Sequence, residues 1–476
     1  MSRRAWLSFL ILVPVCLRVI YVLQILKNPF FNLPIVDGRT YDNWAMEIVR
    51  GDLVGQRVFW QPPLYAYFMA LVYAVFGHSY LIFRLVQSVL GSMNCLLVYL
   101  IGRRIAGAKV ATIAFLIVSI YGPLIHFDTE LLPVTLFIFL MLGALYVSLL
   151  RPKHGLLSGM LVGLSAITHG TGLLLAFAAL GWFFFTRRKQ FVPCLVGLLL
   201  PIALVTARNY AVGNDFVLVS YSGGINFYIG NNADYELTTN IRPGREWQGF
   251  AEEPTKLGVH KPSAYSNFYY RKAVDFITSK PADYLKLMLK KVFAMLNGNE
   301  IMRNQSIYPF REYSRLLATL LFKHTIAFPF GFLLPFAGVG IYCALKERVA
   351  RIPILLAYLA AVGATSLVFF VVARYRLPAV PILSIFAGMG GVYLFEKRRR
   401  DMLGWGILGG LLVVSNLPSG PMETTFTYDS YYLLAVSQQG RGDIGHAEGN
   451  YLMVLEKKPD YYEARNNLAI IYCQTG

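Results

Sequence analysis

Long apolar runs alternate with short basic clusters along this chain, and that alternation predicts most of its architecture. The runs cover about residues 6–26, 80–101, 108–125, 132–150, 155–168, 171–186, 190–207, 325–345, 352–373, 377–395 and 402–417. Most approach the ~20 residues that one helical crossing of a bilayer needs. Basic residues gather at alternate run ends: Arg3 and Arg4, Arg103 and Arg104, Arg151 and Lys153, Arg187 to Lys189, Lys346 to Arg348, Lys397 to Arg400. With those clusters on the cytoplasmic side, the pattern predicts about eleven spans, with the N-terminus cytoplasmic and the C-terminus outside. The run at 62–77 is short, and a crossing there would put Arg103 and Arg104 on the outer face. It reads instead as an extracytoplasmic helix lying along the interface. The expected fold class is all-α: a multi-pass protein of the plasma (inner) membrane with juxtamembrane helices and loops outside.

Three polar stretches break the pattern. Residues 27–79 form the first outer loop, crowded with acids, aromatics and prolines. Residues 208–322 form a large outer segment with turn signals at Gly223-Gly224, Asn231-Asn232 and Pro243-Gly244. Within it, Tyr284 to Leu296 sets lysines opposite apolar residues and is expected to lie on the membrane surface. The third stretch, 427–476, differs in kind. Leu434-Ala435 recurs as Leu468-Ala469 and Gly442 as Gly476, with Ala447, Tyr451 and Pro459 between them. That is the 34-residue tetratricopeptide period, although Gln438 replaces the usual aromatic. The second copy stops in mid-repeat, so the chain is expected to continue past Gly476. The domain reading is a membrane domain over 1–417 followed by this helical repeat hairpin.

Composition narrows the class. With 56% hydrophobic and 15% charged residues, an ordinary soluble domain is excluded. A net charge of +18 would suit nucleic acid, but the basic residues sit at span ends, where topology accounts for them. No small-residue cleavage site follows the first run, which reads as an anchor. Cys16, Cys95, Cys194 and Cys343 lie inside apolar runs and Cys473 stands alone, so neither a disulfide framework nor a metal-ligand spacing is present.

The predicted outer face collects Asp37, Asp42, Asp128, Glu130, His169, Arg208, Arg374 and Arg376. Ionisable groups at membrane depth are costly and point to function. Each also reads as an interfacial residue solvated by headgroups or as half of a structural ion pair. Arg18 and Arg84 read as snorkelling or structural, and His169 as a polar cap within reach of a substrate. Tyr41, Trp44, Trp60, Tyr65 and Tyr67 suit an interfacial aromatic belt or stacking on a sugar ring. Arg374 and Arg376, one residue apart on an extended turn, would point the same way.

In order along residues 1–417, several motifs resemble the C-type (GT-C) integral-membrane glycosyltransferases, in the branch of protein O-mannosyltransferases and the lipid A aminoarabinose transferase. They are Asp37 with Tyr41, Pro62-Pro63-Leu64-Tyr65, Arg84 to Arg104, Phe127-Asp128-Thr129-Glu130, Gly163 to Thr168, Arg208-Asn209-Tyr210, Gly223 to Asn232 and Arg374 to Pro378. Many relatives carry a second acid beside the first-loop aspartate, where this chain has Gly38. The base role would then rest on Asp37 alone or be shared with Asp42.

The resemblance implies transfer of a sugar from a polyprenyl-phosphate donor to an acceptor hydroxyl of protein, lipid or glycan outside the cell, with inversion. Asp37 would take the acceptor's proton. Arg374 or Arg376, with Arg208 as a second choice, would hold the departing phosphate, and Asp128 and Glu130 would orient the acceptor or tune Asp37. Tyr41, Asp42 and His169 would line the substrate. A divalent metal ion is compatible with this scheme, but no ligand spacing demands one. A transporter or flippase for a lipid-linked sugar would use the same charges, yet they lie at one face and no inverted repeat is present. A non-catalytic scaffold recruiting a protein partner through the repeat tail is the third alternative.

Overall fold

The computed structural model describes residues 3–150, 154–241, 245–301, 303, 306–323, 325–397, 400–418 and 426–475. The clusters at 151–153 and 398–399, the turn at 243–244 and Gly476 lie outside the described residues. In the first half the helices are α1 (Arg3–Gln24), α2 (Val36–Val49), α3 (Leu64–Phe76), α4 (Tyr80–Ser119), α5 (Gly122–Phe127), α6 (Val134–Leu149), α7 (Gly155–Ala166), α8 (Gly172–Thr186) and α9 (Phe191–Gly213). The outer segment holds α10 (Gly223–Gly230), α11 (Tyr235–Thr239), α12 (Arg245–Ala251), α13 (Glu253–Lys256), α14 (Pro262–Ser279), α15 (Pro281–Leu296) and α16 (Arg315–Leu320). Then come α17 (Phe330–Lys346), α18 (Ile352–Val368), α19 (Ala373–Arg376), α20 (Val380–Val392), α21 (Met402–Asn416), α22 (Phe426–Gln439), α23 (Ile444–Lys457) and α24 (Tyr462–Thr475).

Among the described residues, four segments are both long and apolar enough to cross a bilayer, Ser8–Lys27, Tyr80–Ser119, Arg188–Gly213 and Ala373–Glu396, with seven shorter apolar helices beside them. The expected runs at 80–101 and 108–125 are one continuous element broken only at Gly107, whose φ of 88° needs a residue without Cβ. The second run stops at Ser119 and restarts as α5, where Pro123 occupies the first turn. The all-α expectation needs one correction. Phe322–Lys323 (β1) and Ala327–Phe328 (β2) pair antiparallel, held by the Phe322 and Phe328 rings stacked at 5.0 Å.

Glycines let the apolar helices approach backbone to backbone, the usual device where lipid supplies no hydrophobic drive. A Cβ on Gly159 of α7 would fall 1.9 Å from the Cys194 carbonyl oxygen of α9, and one on Gly197 would fall 2.1 Å from that of Leu156. Gly340 and Gly390 do the same for α17 against α20. The described basic turns pack against neighbouring helix ends. Arg351 donates to the Arg104 carbonyl at 3.0 Å, Arg187 to that of Leu150 at 2.7 Å, and Lys346 pairs with Asp401 at 2.8 Å. The turns that carry Asp37, His169 and Arg374 lie together around one cavity instead.

The C-terminal helices α22 to α24 bury Ala435, Ala447, Tyr451, Ala464 and Leu468 in a core of their own, against which Ile35 and Val36 of the first loop pack. Gln438, out of place in the repeat pattern, accepts a hydrogen bond from Asn450 at 2.8 Å.

Candidate active site

Asp37 lies in the first turn of α2, where a carboxylate meets the positive end of the helix. Its neighbour Val36 holds φ at 47°, an unusual conformation for a β-branched residue. One carboxylate oxygen accepts from Arg374 Nη1 at 2.6 Å and the other from Gln61 Nε2 at 3.3 Å. Burial works against ionisation of Asp37, but the Arg374 guanidinium, with Arg303 and Gln61 behind it, outweighs burial and holds the carboxyl below its usual range.

Above this pair opens a cavity of about 400 Å³. Tyr41, Trp60, Trp247 and Tyr375 give it aromatic walls, and Gln61, Ser222 and Asn226 give it uncharged polar ones. A smaller recess of about 80 Å³ also borders Asp37, lined by Arg84, Glu130 and Glu300. Asp37, Arg303 and Arg374 border both spaces. Among the described residues, Arg303 Nη1 and Arg374 Nε are buried without a hydrogen-bond partner. Burial pushes the Arg303 guanidinium down to about 10, and its face covers the Phe370 ring at 4.5 Å. Two cations with spare N–H groups beside one carboxylate make a site for an anion that leaves the carboxylate in contact with whatever fills the cavity.

The sequence-derived candidates divide between this site and the scaffold. Tyr41 lines the cavity, its hydroxyl pushed up by burial and by Asp37. His169 lines it too, bonded to Thr171 Oγ1 at 2.7 Å, and burial lowers its pKa to about 4. Glu130 faces the smaller recess, 3.9 Å from Arg84, with burial raising its carboxyl. Asp128 is not brought to Asp37. It is buried on Arg18 at 2.7 Å and Thr135 at 2.9 Å, tying α1 to the turn after α5. Asp42 also turns away, accepting from Tyr73 and Tyr80, both at 2.8 Å, and contacting His78 at 2.9 Å. Arg208 fixes the first loop to α9 through the carbonyls of Val54 and Arg57.

Arg374 and Arg376 do not share a direction, because residues 373–376 form a helical turn rather than an extended one. Arg376 is buried on Glu300 at 3.0 Å, donates to the carbonyls of Asn297 and Asn299, and stacks on Phe330. Sequence reasoning missed Arg303, Glu300 and Gln61, single polar residues in irregular segments with no periodicity to mark them, and Trp247, in the seven-residue helix α12, too short to show a period. Among the described residues, no group of three or more His, Cys, Asp or Glu side chains converges as metal ligands would.

The fold and cavity thus define a multi-pass helical membrane protein with an acid–arginine centre at one end of the bundle. A family model described as dolichyl-phosphate-mannose-protein mannosyltransferase matches residues 60–209, less than half of the chain. Among solved structures, the chain is similar to the oligosaccharyltransferase of Archaeoglobus fulgidus in complex with zinc and sulfate, at 16% identity and a TM-score of 0.48, covering 89% of this chain and 55% of that one. It therefore spans about half the length of that protein. It is also similar to ArnT from Cupriavidus metallidurans bound to undecaprenyl phosphate, at 14% identity and a TM-score of 0.45, covering 99% of this chain and 75% of that one. No curated protein matches the chain.

Proposed function

We propose that the chain is an inverting membrane glycosyltransferase that moves a sugar from a polyprenyl-phosphate donor to an acceptor hydroxyl on the extracytoplasmic face. The observation that carries this reading is the group of Asp37, Arg374 and Arg303 bordering both spaces, with two guanidinium N–H groups unpaired among the described residues. The family match supports the donor class, since its description names a dolichyl-phosphate sugar. The donor phosphate enters between Arg303 and Arg374 and competes for the Arg374 N–H now held by Asp37. That exchange loosens the carboxylate and raises its basicity as the substrate arrives. The acceptor oxygen then attacks the anomeric carbon, the bond from that carbon to the phosphate oxygen breaks, and the electron pair leaves with the lipid phosphate. The acceptor's proton goes to Asp37, and the two guanidinium groups stabilise the charge that develops on the phosphate.

Tyr41 and His169 contact the substrate, and Glu130 orients the acceptor from the smaller recess. Asp42, Asp128, Arg208 and Arg376 hold the surrounding scaffold. The C-terminal helices bind a protein partner in this reading, on the strength of their repeat pattern. The test is transfer by the full-length protein in lipid vesicles, from labelled polyprenyl-phosphate sugars to acceptors in a native membrane fraction. Asp37→Asn should lower the rate by ~10²–10⁴ while donor binding persists. A parent protein that consumes no such donor, or an Asn variant at the parent rate, would refute the assignment.

A further inference from the structure

Gly230 and Asn231, at the end of the Gly223-to-Asn232 motif, and Lys291 of α15 take no part in the chemistry above, yet they converge on the chain just before Arg374. A helix ends with carbonyl groups that have no partner inside it, and the end of α18 packs against α15 and the end of α10. Lys291 donates to the carbonyls of Leu367 and Phe369, both at 2.9 Å, and to Asn231 Oδ1 at 3.1 Å. Asn231 Nδ2 in turn donates to the Val368 carbonyl at 2.7 Å. Gly230 closes the contact, since a Cβ there would fall 1.6 Å from the Phe369 carbonyl oxygen. Three successive carbonyls at the negative end of a helix are thus held by one cation and one amide. Lys291 is fully buried, although the amphipathic pattern of its helix assigned it to the polar face.

We infer that Lys291 and Asn231 are positioning residues that clamp the end of α18 and so present Arg374 to Asp37 and to the donor phosphate. The inference rests on the reading of Asp37 and Arg374 given above. Serving all three oxygens takes the three hydrogens of an ammonium group; the neutral amine has two. Burial pushes this ammonium down to about 7, and no charged side chain contributes to the shift. The titratable groups around it are Tyr235, whose ring centroid is 5.6 Å from Nζ, and the outward-facing pair of Lys290 with Glu236. The helix α18 carries no charged side chain. Loss of the proton leaves one carbonyl unheld and loosens the turn that carries Arg374.

The test compares Lys291→Met with the parent in lipid nanodiscs by amide hydrogen exchange over residues 366–376 and by kcat across pH. The variant should exchange faster in that segment and lose roughly tenfold to hundredfold in kcat, the scale of a misplaced catalytic group. The parent's kcat should fall as pH rises through about 7, and the variant should lack that limb. Parental exchange, kcat and pH profile in Lys291→Met would overturn the inference. So would a variant that only yields less folded protein, with the rate per folded molecule and the pH limb unchanged. Where Lys291→Met is not recovered folded, Asn231→Ala takes its place, with the same expected gain in exchange and loss in kcat. Parental values there would also overturn the clamp. A parent that transfers no sugar at all removes the functional reading, whereas the exchange measurement still reports on the clamp.

Discussion

Two arginines one residue apart have opposite duties in this chain. Arg374 meets Asp37 at the cavity, and Arg376 is locked on Glu300 and two carbonyls. Replacing Arg374 or Arg303 with lysine keeps a charge but removes the planar fork. Losing one charge-assisted hydrogen bond is worth ~1.5–3 kcal/mol, or about tenfold to hundredfold in affinity. Arg374→Lys and Arg303→Lys should therefore raise the apparent KM for the lipid-phosphate donor on that scale, with normal folded yield. Arg376→Lys should instead lower the yield of folded protein and leave the donor KM of the surviving molecules near the parent value. Rate against donor concentration separates the cases, and an unchanged KM in both cavity variants would move the phosphate elsewhere. The pH dependence of Asp37 has a definite sign. Its carboxyl is held below the ordinary range by Arg374, so this pairing contributes stability above the ordinary carboxylate pKa and loses it as pH falls through the depressed value. Asp37→Asn should remove that part of the acid dependence in thermal unfolding.

Among the helices, close packing through glycine decides where the site's turns can be. The Gly163-to-Thr168 motif owes its first residue to contact, since a Cβ on Gly163 would meet the Leu198 carbonyl oxygen at 2.5 Å. With Gly159 and Gly197 it draws α7 onto α9, which sets the α7–α8 turn carrying His169 against the cavity. Backbone carbonyls cannot yield as a flexible side-chain end can. Gly159→Val should therefore destabilise the protein by about 1–3 kcal/mol or more through overpacking. Gly181→Ala in α8, where no atom lies within 4 Å of the added Cβ, should not. Thermal unfolding in detergent would read the difference, and equal midpoints would show that the α7–α9 contact is looser than described.

For the molecule as a whole, the described basic turns at Arg104, Arg187 and Lys346 pack against neighbouring helix ends, and none of them lines the acid–arginine cavity. With the basic turns in the cytoplasm, a cysteine at Gln248 should react with an impermeant reagent in intact cells. One at Arg348 should react only after permeabilisation. Both positions are exposed, and the natural Cys473, also exposed, would be replaced first. Labelling at 348 but not at 248 in intact cells would invert the orientation.

Sequence alone determined the apolar segments, the basic turns between them and the acid-rich, aromatic composition of the first loop. Those properties are local: a run of apolar residues is long enough to span or it is not, whatever the rest of the chain does. Asp37 was legible for the same reason, as an acid close behind such a run. Partnership was not legible. The Asp37–Arg374 pair joins residues 337 positions apart, and nothing in the sign of a charge says which of several opposite charges will reach it. The extended turn expected for Arg374 to Arg376 failed because the turn is helical, and that sent the second arginine to Glu300. Lys291 looked like a surface lysine because its helix is amphipathic. Only the packing of α10 and α18 around it supplied three buried oxygens, which make an inward ammonium group tolerable. Arg303 had no pattern to reveal it, because an irregular segment places a side chain by tertiary contacts and not by period.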